Sequence, residues 1–215
     1  TRPHGMMPTP DGIDYMMKLI GPKEANGVMS LDQPHEENLR LLIKTLGIAP
    51  HELVQLTLND AKRPMNTPFV EAARKVGVDL RLVDSGDLMP GIAASVNNGE
   101  NGRKHVVVAT RGGVEEGTIA ALAARISGGF MEARFWDKDP HIYAENKLLT
   151  LDDLAPERTD MAMVTVAGIT GDEWLGIPKI VNQGQGEHTV STWTLTPKNV
   201  LNRTGINTGK YSFSL

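Results

Sequence analysis

Residues 106–122 read Val-Val-Val-Ala-Thr-Arg-Gly-Gly-Val-Glu-Glu-Gly-Thr-Ile-Ala-Ala-Leu. The apolar run from His105 to Ala109, rich in β-branched residues, predicts a strand buried on both faces. The pair Gly112 and Gly113 breaks it, and a helix is expected from Val114 to Ile126, stopped by Gly128 and Gly129. Glycines at such a turn free backbone N–H groups to hold an anion. Glu115 and Glu116, in the first turn of the helix, make sense beside an anion where a cation sits between them. Strand, glycine turn and acid-bearing helix together point to an α/β unit handling a phosphate and a metal.

Upstream, the same alternation recurs. Val54, Leu56 and Leu58 alternate with polar residues as a strand does, and Pro68 to Val76 follow as a helix ended by Gly77. Leu80 to Val83 form a second strand, and Leu88 to Val96 a helix despite Pro90. Before these, Asp32 and Pro34 open a helix whose stripe Leu39, Leu42, Ile43 and Leu46 stops at Gly47. The shorter stretch Ile13 to Ile20 is also expected to be helical. Three strand–helix units in succession predict an α/β chain on a mostly parallel, helix-flanked sheet. Beyond Gly129 the pattern changes: Phe130 to Phe135, Met161 to Ala167 and His188 to Leu195 read as strands, with one short capped helix near Thr150 to Leu154. This predicts a mixed, β-rich carboxyl-terminal part. Residues 1–32 read as a lead-in belonging to an upstream domain and residues 33–215 as the α/β region proper, with surface turns at Asn26-Gly27, Asn98-Gly99 and Asn101-Gly102.

With 215 residues, 40% of them apolar, the chain can bury a sizeable core. A net charge of −4 without a basic block argues against nucleic acid as a partner. The absence of cysteine excludes disulfides, zinc–thiolate sites and thiol catalysis, and makes a reducing, cytoplasmic location the expectation. No apolar run approaches the roughly 20 residues of a membrane span, so no membrane partner is expected.

In an open α/β sheet, ligands bind beyond the carboxyl ends of the parallel strands. The residues following the three strands are polar: Asn59, Asp60, Lys62 and Arg63; then Asp84, Ser85, Gly86 and Asp87; then Arg111, Gly112, Gly113, Glu115 and Glu116. Their shared edge would combine two cations, a turn suited to sugar hydroxyls, and a glycine–glutamate loop, which fits a phosphorylated polyol. Hard oxygen ligands without thiolates or a zinc-spaced histidine pair point to Mg²⁺ or Mn²⁺. Singly, each signal also has a plainer reading: Glu115 and Glu116 complement a helix dipole, Lys62 and Arg63 form a solvated pair, and Asp84 and Asp87 cap a helix. The six histidines are scattered, and Trp136, Trp174 and Trp193 read as packing anchors. The glycine loop has neither the third glycine of a dinucleotide fingerprint nor the Lys-Ser/Thr of a P-loop, and there is no G-x-S-x-G elbow.

Tyr15-Met-Met-Lys18-Leu, Asn38-Leu39-Arg40, Gly112-Gly113-Val114-Glu115-Glu116-Gly117 and Ala167-Gly168-Ile169-Thr170, in this order, resemble segments of the class II fructose-1,6-bisphosphatases, some of which also accept sedoheptulose 1,7-bisphosphate. The resemblance implies a layered sugar-phosphatase-like fold and a homo-oligomer in carbohydrate metabolism, such as gluconeogenesis or the Calvin cycle. It further implies that Glu116 ligates the catalytic metal, while Tyr15, Gly113 and the turn Ser85, Gly86 and Asp87 contact the sugar bisphosphate. The family's phosphate-clamping Lys-Pro-Arg-His is represented by Lys62-Arg63-Pro64-Met65, and Ser85 stands where the family has an acid. The upstream acidic motif Asp-Pro-x-Glu-Gly-Thr, which carries most of the family's metal ligands, is absent from these 215 residues. Two functions follow as expectations: metal-dependent hydrolysis of the 1-phosphate, with acids supplied from outside this chain, or a non-catalytic sugar-phosphate-binding or assembly subunit.

Overall fold

The computed structural model describes residues 13–96, 99, 104–136, 147–155, 162–168, 170–184, 187–197 and 200–207. By its contacts the chain divides into two compact units, Thr1–Thr159 and Asp160–Leu215.

The first unit is built on a six-stranded sheet in the order β3 (Asp79–Val83), β2 (Leu53–Leu58), β4 (His105–Gly113), β1 (Tyr15–Gly21), β5 (Phe130–Trp136) and β6 (Leu149–Thr150). The parallel pairing of the three expected strands is present: β2 runs parallel to both β3 and β4. The sheet is mixed rather than mostly parallel, because β1 lies antiparallel between β4 and β5, and β6 is antiparallel to β5. Thus β2, β3, β4 and β5 share one direction while β1 and β6 run against it.

The strand β1 replaces the helix expected over Ile13 to Ile20, and it falls within the stretch expected to be a lead-in. Met16, Leu19 and Ile20 are spaced as on a helix, yet both faces of this central strand are covered, which removes the polar–apolar alternation that marks a strand at the surface. Met17 and Leu19 face the cluster formed with Leu39, Leu42, Phe69 and Ala73. These last four come from α1 (His35–Leu46) and α2 (Thr67–Val76). On the opposite face, α3 (Leu88–Val96) and α4 (Val114–Ser127) approach so closely that a Cβ on Gly91 would stand 3.1 Å from Ile20 and press on Ala120. Helices therefore cover both faces of the sheet. The expected stops hold where Gly77 and Gly128 take left-handed φ values of 84° and 73° at the ends of α2 and α4. The short helix α5 (Leu151–Leu154) starts at Thr150, whose N–H donates to Asp153 Oδ2 at 3.0 Å.

The second unit is an antiparallel sheet in which β9 (Glu187–Leu195) pairs along one edge with β10 (Val200–Asn207). Along its other edge it pairs first with β8 (Val181–Gly184) and then with β7 (Val164–Ala167). Trp193 is fully buried at its centre, with Leu195 and Ser191 beside it in the strand's alternation. Two of these strands, β8 and β10, were not expected from the sequence. Met161, the expected start of β7, lies outside the described residues, as do Asn98, Asn101, Gly102 and Ile169.

Candidate functional site

Because β2, β3 and β4 share a direction, the segments that follow them emerge at one edge of the sheet. The reversed strand β1 adds its beginning to that edge: Tyr15 stands opposite Gly113 of β4 on one side and Trp136 of β5 on the other. The edge thus gathers Lys62 and Arg63, the turn Ser85, Gly86 and Asp87, Gly113 with Glu116, and Tyr15. Tyr15 packs edge-on to Trp136, with ring centroids 6.3 Å apart.

The centre of this edge is a charged cluster beneath the surface. Lys18 Nζ lies 2.6 Å from Asp87 Oδ2, with the two side chains only 1% and 3% exposed. The same ammonium donates to the carbonyl of Gly113 at 2.8 Å. Asp87 immediately precedes α3, and its carbonyl accepts from Gly91 N–H at 2.9 Å. Neither carboxylate oxygen of Asp87 has a directional hydrogen bond, so the charge of Lys18 is its main counterweight. Burial holds the Lys18 ammonium below the usual lysine range, against the pull of Asp87 and Glu116, and the charge of Arg63 acts in the same lowering sense.

Glu116 extends from the first turn of α4 toward the Ser85–Asp87 turn. Cβ atoms placed on Gly86 and Gly113 would stand 3.7 Å and 3.1 Å from its carboxylate oxygens. Burial pushes the Glu116 carboxyl above its ordinary range, and the neighbouring Asp87 carboxylate adds to the rise; Lys18 and the Asp87 N–H pull the other way. Glu115, by contrast, points to solvent, which separates two acids that sequence alone left side by side.

The glycine pair is not the loop it was expected to be. Both residues belong to β4, where Gly112 pairs with Met16 and Gly113 with Tyr15. Gly112 is required by a close approach: a Cβ there would overlap Asp87 Oδ2 and stand 3.1 Å from Leu58. Gly117 has the same reason, since its Cβ would overlap Met16 Sδ and stand 3.0 Å from Lys18 Cδ. The N–H of Val114, first in α4, donates to Asp14 O at 3.1 Å rather than standing free for an anion.

The cation loop is fastened separately. Asn66, fully buried, accepts from the Arg111 N–H at 2.6 Å and from Thr110 Oγ1 at 3.3 Å. Arg111 donates from Nη1 to Met65 O at 2.6 Å, while its guanidinium lies 5.8 Å from the ring centre of Phe69 and 5.5 Å from that of Trp136. Lys62 is engaged at the surface with Asp84 at 2.9 Å, and Asn59 donates to the same carboxylate at 3.0 Å. Ser85 is exposed beside it. Every sequence-predicted site residue therefore lies at this edge, but Asp87 turns its carboxylate inward to Lys18 rather than outward. Lys18 and Asn66 were missed, and Arg111, read only as one of the polar residues after the third strand, was given no role. A lysine inside the apolar run Met16 to Ile20 was the one signal of the first.

As a metal site the donor set is incomplete. Among the described residues no three His, Asp or Glu side chains stand together where they would share an ion. Asp87 is already paired with Lys18, leaving Glu116 as the one other carboxylate of the buried cluster, whereas Mg²⁺ or a similar ion takes about six oxygen ligands. These residues alone do not fit a divalent ion.

Residues 2–203 match the family of bacterial fructose-1,6-bisphosphatase, glpX-encoded. The chain belongs to this family. Among curated relatives, the fructose-1,6-bisphosphatase 2 class 2 of Escherichia coli K12 is 30% identical over 190 residues, covering 78% of this chain and 56% of the relative. The D-fructose 1,6-bisphosphatase class 2/sedoheptulose 1,7-bisphosphatase of Synechococcus sp. JA-3-3Ab is 31% identical over 130 residues, 60% of this chain and 35% of its own length. The protein of the same name from Gloeobacter violaceus is 30% identical over 136 residues, 63% and 37% of the two chains. The chain thus spans between a third and somewhat over half the length of these relatives. No helix among the described residues is long and apolar enough to cross a membrane.

Proposed function

We propose that this chain supplies the substrate-bearing edge of a hydrolase that removes the 1-phosphate of fructose 1,6-bisphosphate, with sedoheptulose 1,7-bisphosphate as a further substrate. The observation that carries the reading is convergence: Tyr15, Lys62, Arg63, the Ser85–Asp87 turn, and Gly113 with Glu116 come from four separate segments to one sheet edge. Arg63 and Lys62 hold a phosphate. The Lys62–Asp84 pair is exposed, so a dianionic phosphate displaces Asp84 readily. Tyr15, Ser85 and the backbone of Gly86, Asp87 and Gly113 face the sugar. Glu116, half-buried with its carboxyl raised by burial, stands at the reacting end. Because the cation loop is tied down by Asn66 and Arg111, the phosphate contacts are in place before substrate arrives, which lowers the ordering cost.

Mg²⁺ or Mn²⁺ is part of this reading, as is a layered sugar-phosphatase-like fold shared with the family. A bound ion would supply charge neutralisation at the scissile phosphate, and Glu116 is the residue of this edge that would hold it, together with acids from outside the described residues. A cytoplasmic homo-oligomer is the setting that follows from the family resemblance. That no three carboxylates cluster among the described residues favours one second reading, a sugar-phosphate-binding or assembly subunit without turnover.

Phosphate release from fructose 1,6-bisphosphate with Mg²⁺ or Mn²⁺, measured for the full gene product and for these 215 residues, tests both. Turnover by the gene product that Glu116→Gln abolishes and Glu115→Gln preserves supports the hydrolase. Substrate binding without release in either protein supports the second reading, and neither binding nor release refutes both.

A further inference from the structure

We infer that Lys18 and Asp87 form a positioning pair for sugar recognition, acting through the segments they tie together rather than by touching substrate. This rests on the substrate reading above and deepens it. The two side chains are 1% and 3% exposed, so neither presents its charge to a ligand in solution. Yet their contacts reach every segment assigned to the sugar. Lys18 projects from β1, three residues after Tyr15, and holds the carbonyl of Gly113 at 2.8 Å. Its ion pair at 2.6 Å fixes Asp87, the last residue of the Ser85–Asp87 turn. Glu116 lies against the same turn, its carboxylate oxygen 3.7 Å from where a Cβ on Gly86 would stand.

A buried ion pair is a poor way to gain stability, because hydrophobic residues of the same volume usually serve as well or better. The surrounding sequence nevertheless makes room for this one. Gly112 leaves space for Asp87 Oδ2, and Gly117 leaves space for Met16 and for the Lys18 stem, 3.0 Å from where its Cβ would be. Gly112 is thus explained by Asp87, and Gly117 by Met16 first and the Lys18 stem second, rather than by an anion. What apolar residues cannot supply is an ammonium held at once by a carboxylate and a carbonyl. One ammonium joined to a carboxylate and a carbonyl sets the spacing between the turn before α3 and the end of β4, and the sugar must fit that spacing. The cation loop is held by Asn66 and Arg111 instead, without a hydrogen bond to either member of the pair.

That separation gives the test. Calorimetry on the chain compares fructose 1,6-bisphosphate with inorganic phosphate, first for the wild type and then for Lys18→Met and the double variant Lys18→Met/Asp87→Asn. The double variant leaves no buried charge unpaired and keeps the measurement possible if the single variant fails to fold. In the folded variant the preference for the bisphosphate over phosphate is expected to fall roughly tenfold or more, with phosphate affinity unchanged within about twofold. An unchanged ratio in a folded variant overturns the inference, as does a loss of both ligands in equal proportion. A wild-type chain that binds neither ligand refutes the substrate reading and this inference with it; a wild type that binds while the variant keeps its ratio refutes this inference alone.

Discussion

Replacing Asp87 by Asn keeps the shape of the side chain and removes the only carboxylate 2.6 Å from the Lys18 ammonium. Lys18 is 1% exposed, so the charge left behind has no water to turn to. Its remaining hydrogen-bond partner is the Gly113 carbonyl at 2.8 Å, with the Glu116 carboxylate as a remaining opposite charge. Breaking one side of a buried pair costs about 3–5 kcal/mol, whereas neutralising both sides is often close to neutral or stabilising. Asp87→Asn is therefore expected to lower the stability of the first unit by about 3–5 kcal/mol, and Lys18→Met/Asp87→Asn to recover most of that loss. The readout is amide hydrogen exchange in β1 and β4, which separates this unit from the β-rich one. At about 1.4 kcal/mol per tenfold, exchange through global opening should accelerate roughly a hundredfold to several thousandfold in the single variant. Acceleration below about tenfold would mean that the pair is solvated in solution. A double variant as unstable as the single one would mean that packing at Asp87, and not charge, sets the cost.

Gly112→Ala is expected to destabilise by about 3 kcal/mol, the upper part of the overpacking range, because the atom it would press is a buried carboxylate fixed by Lys18; a drop of under about 1 kcal/mol in urea unfolding would show that Asp87 moves aside. His35 is pushed down to about 4 by burial against Phe69, at a centroid distance of 5.2 Å, with Gln55 at 2.9 Å from Nε2 opposing the shift. Its folded value lies below the unfolded 6.5, so its contribution is complete above pH 6.5 and is lost as pH falls toward about 4, at most about 3 kcal/mol in all. The urea midpoint should fall across that window, and His35→Gln should flatten the fall; an equal slope in the variant assigns the dependence elsewhere.

The strand–helix alternation from Leu53 to Ser127 was legible because β2 and β3 alternate apolar with polar residues, β4 is an apolar run, and α2 and α4 end at glycines. The strand β1 was not, since burial on both faces erased its period and left Met16, Leu19 and Ile20 at helical spacing. Likewise β8 and β10 carry mostly polar residues, and pairing with β9 rather than local preference makes them strands. At the site, the polar residues after the strands were readable from topology. Glu116 was separable from Glu115 only by the family resemblance, and the structure shows the difference as burial. The purpose of Gly112 and Gly117 was hidden, because it depends on Asp87 for the first and on Met16 and Lys18 for the second, distant in sequence and adjacent only once the sheet has formed.

The central claim is that one sheet edge binds a single sugar bisphosphate. Amide chemical-shift mapping of this chain during titration with fructose 1,6-bisphosphate tests it most directly. Saturable shifts at Tyr15, Lys62, Arg63, Ser85, Gly86, Gly113 and Glu116, with one common affinity, are the predicted result. Shifts confined to Lys62 and Arg63, or centred on the unit from Asp160 to Leu215, would contradict it.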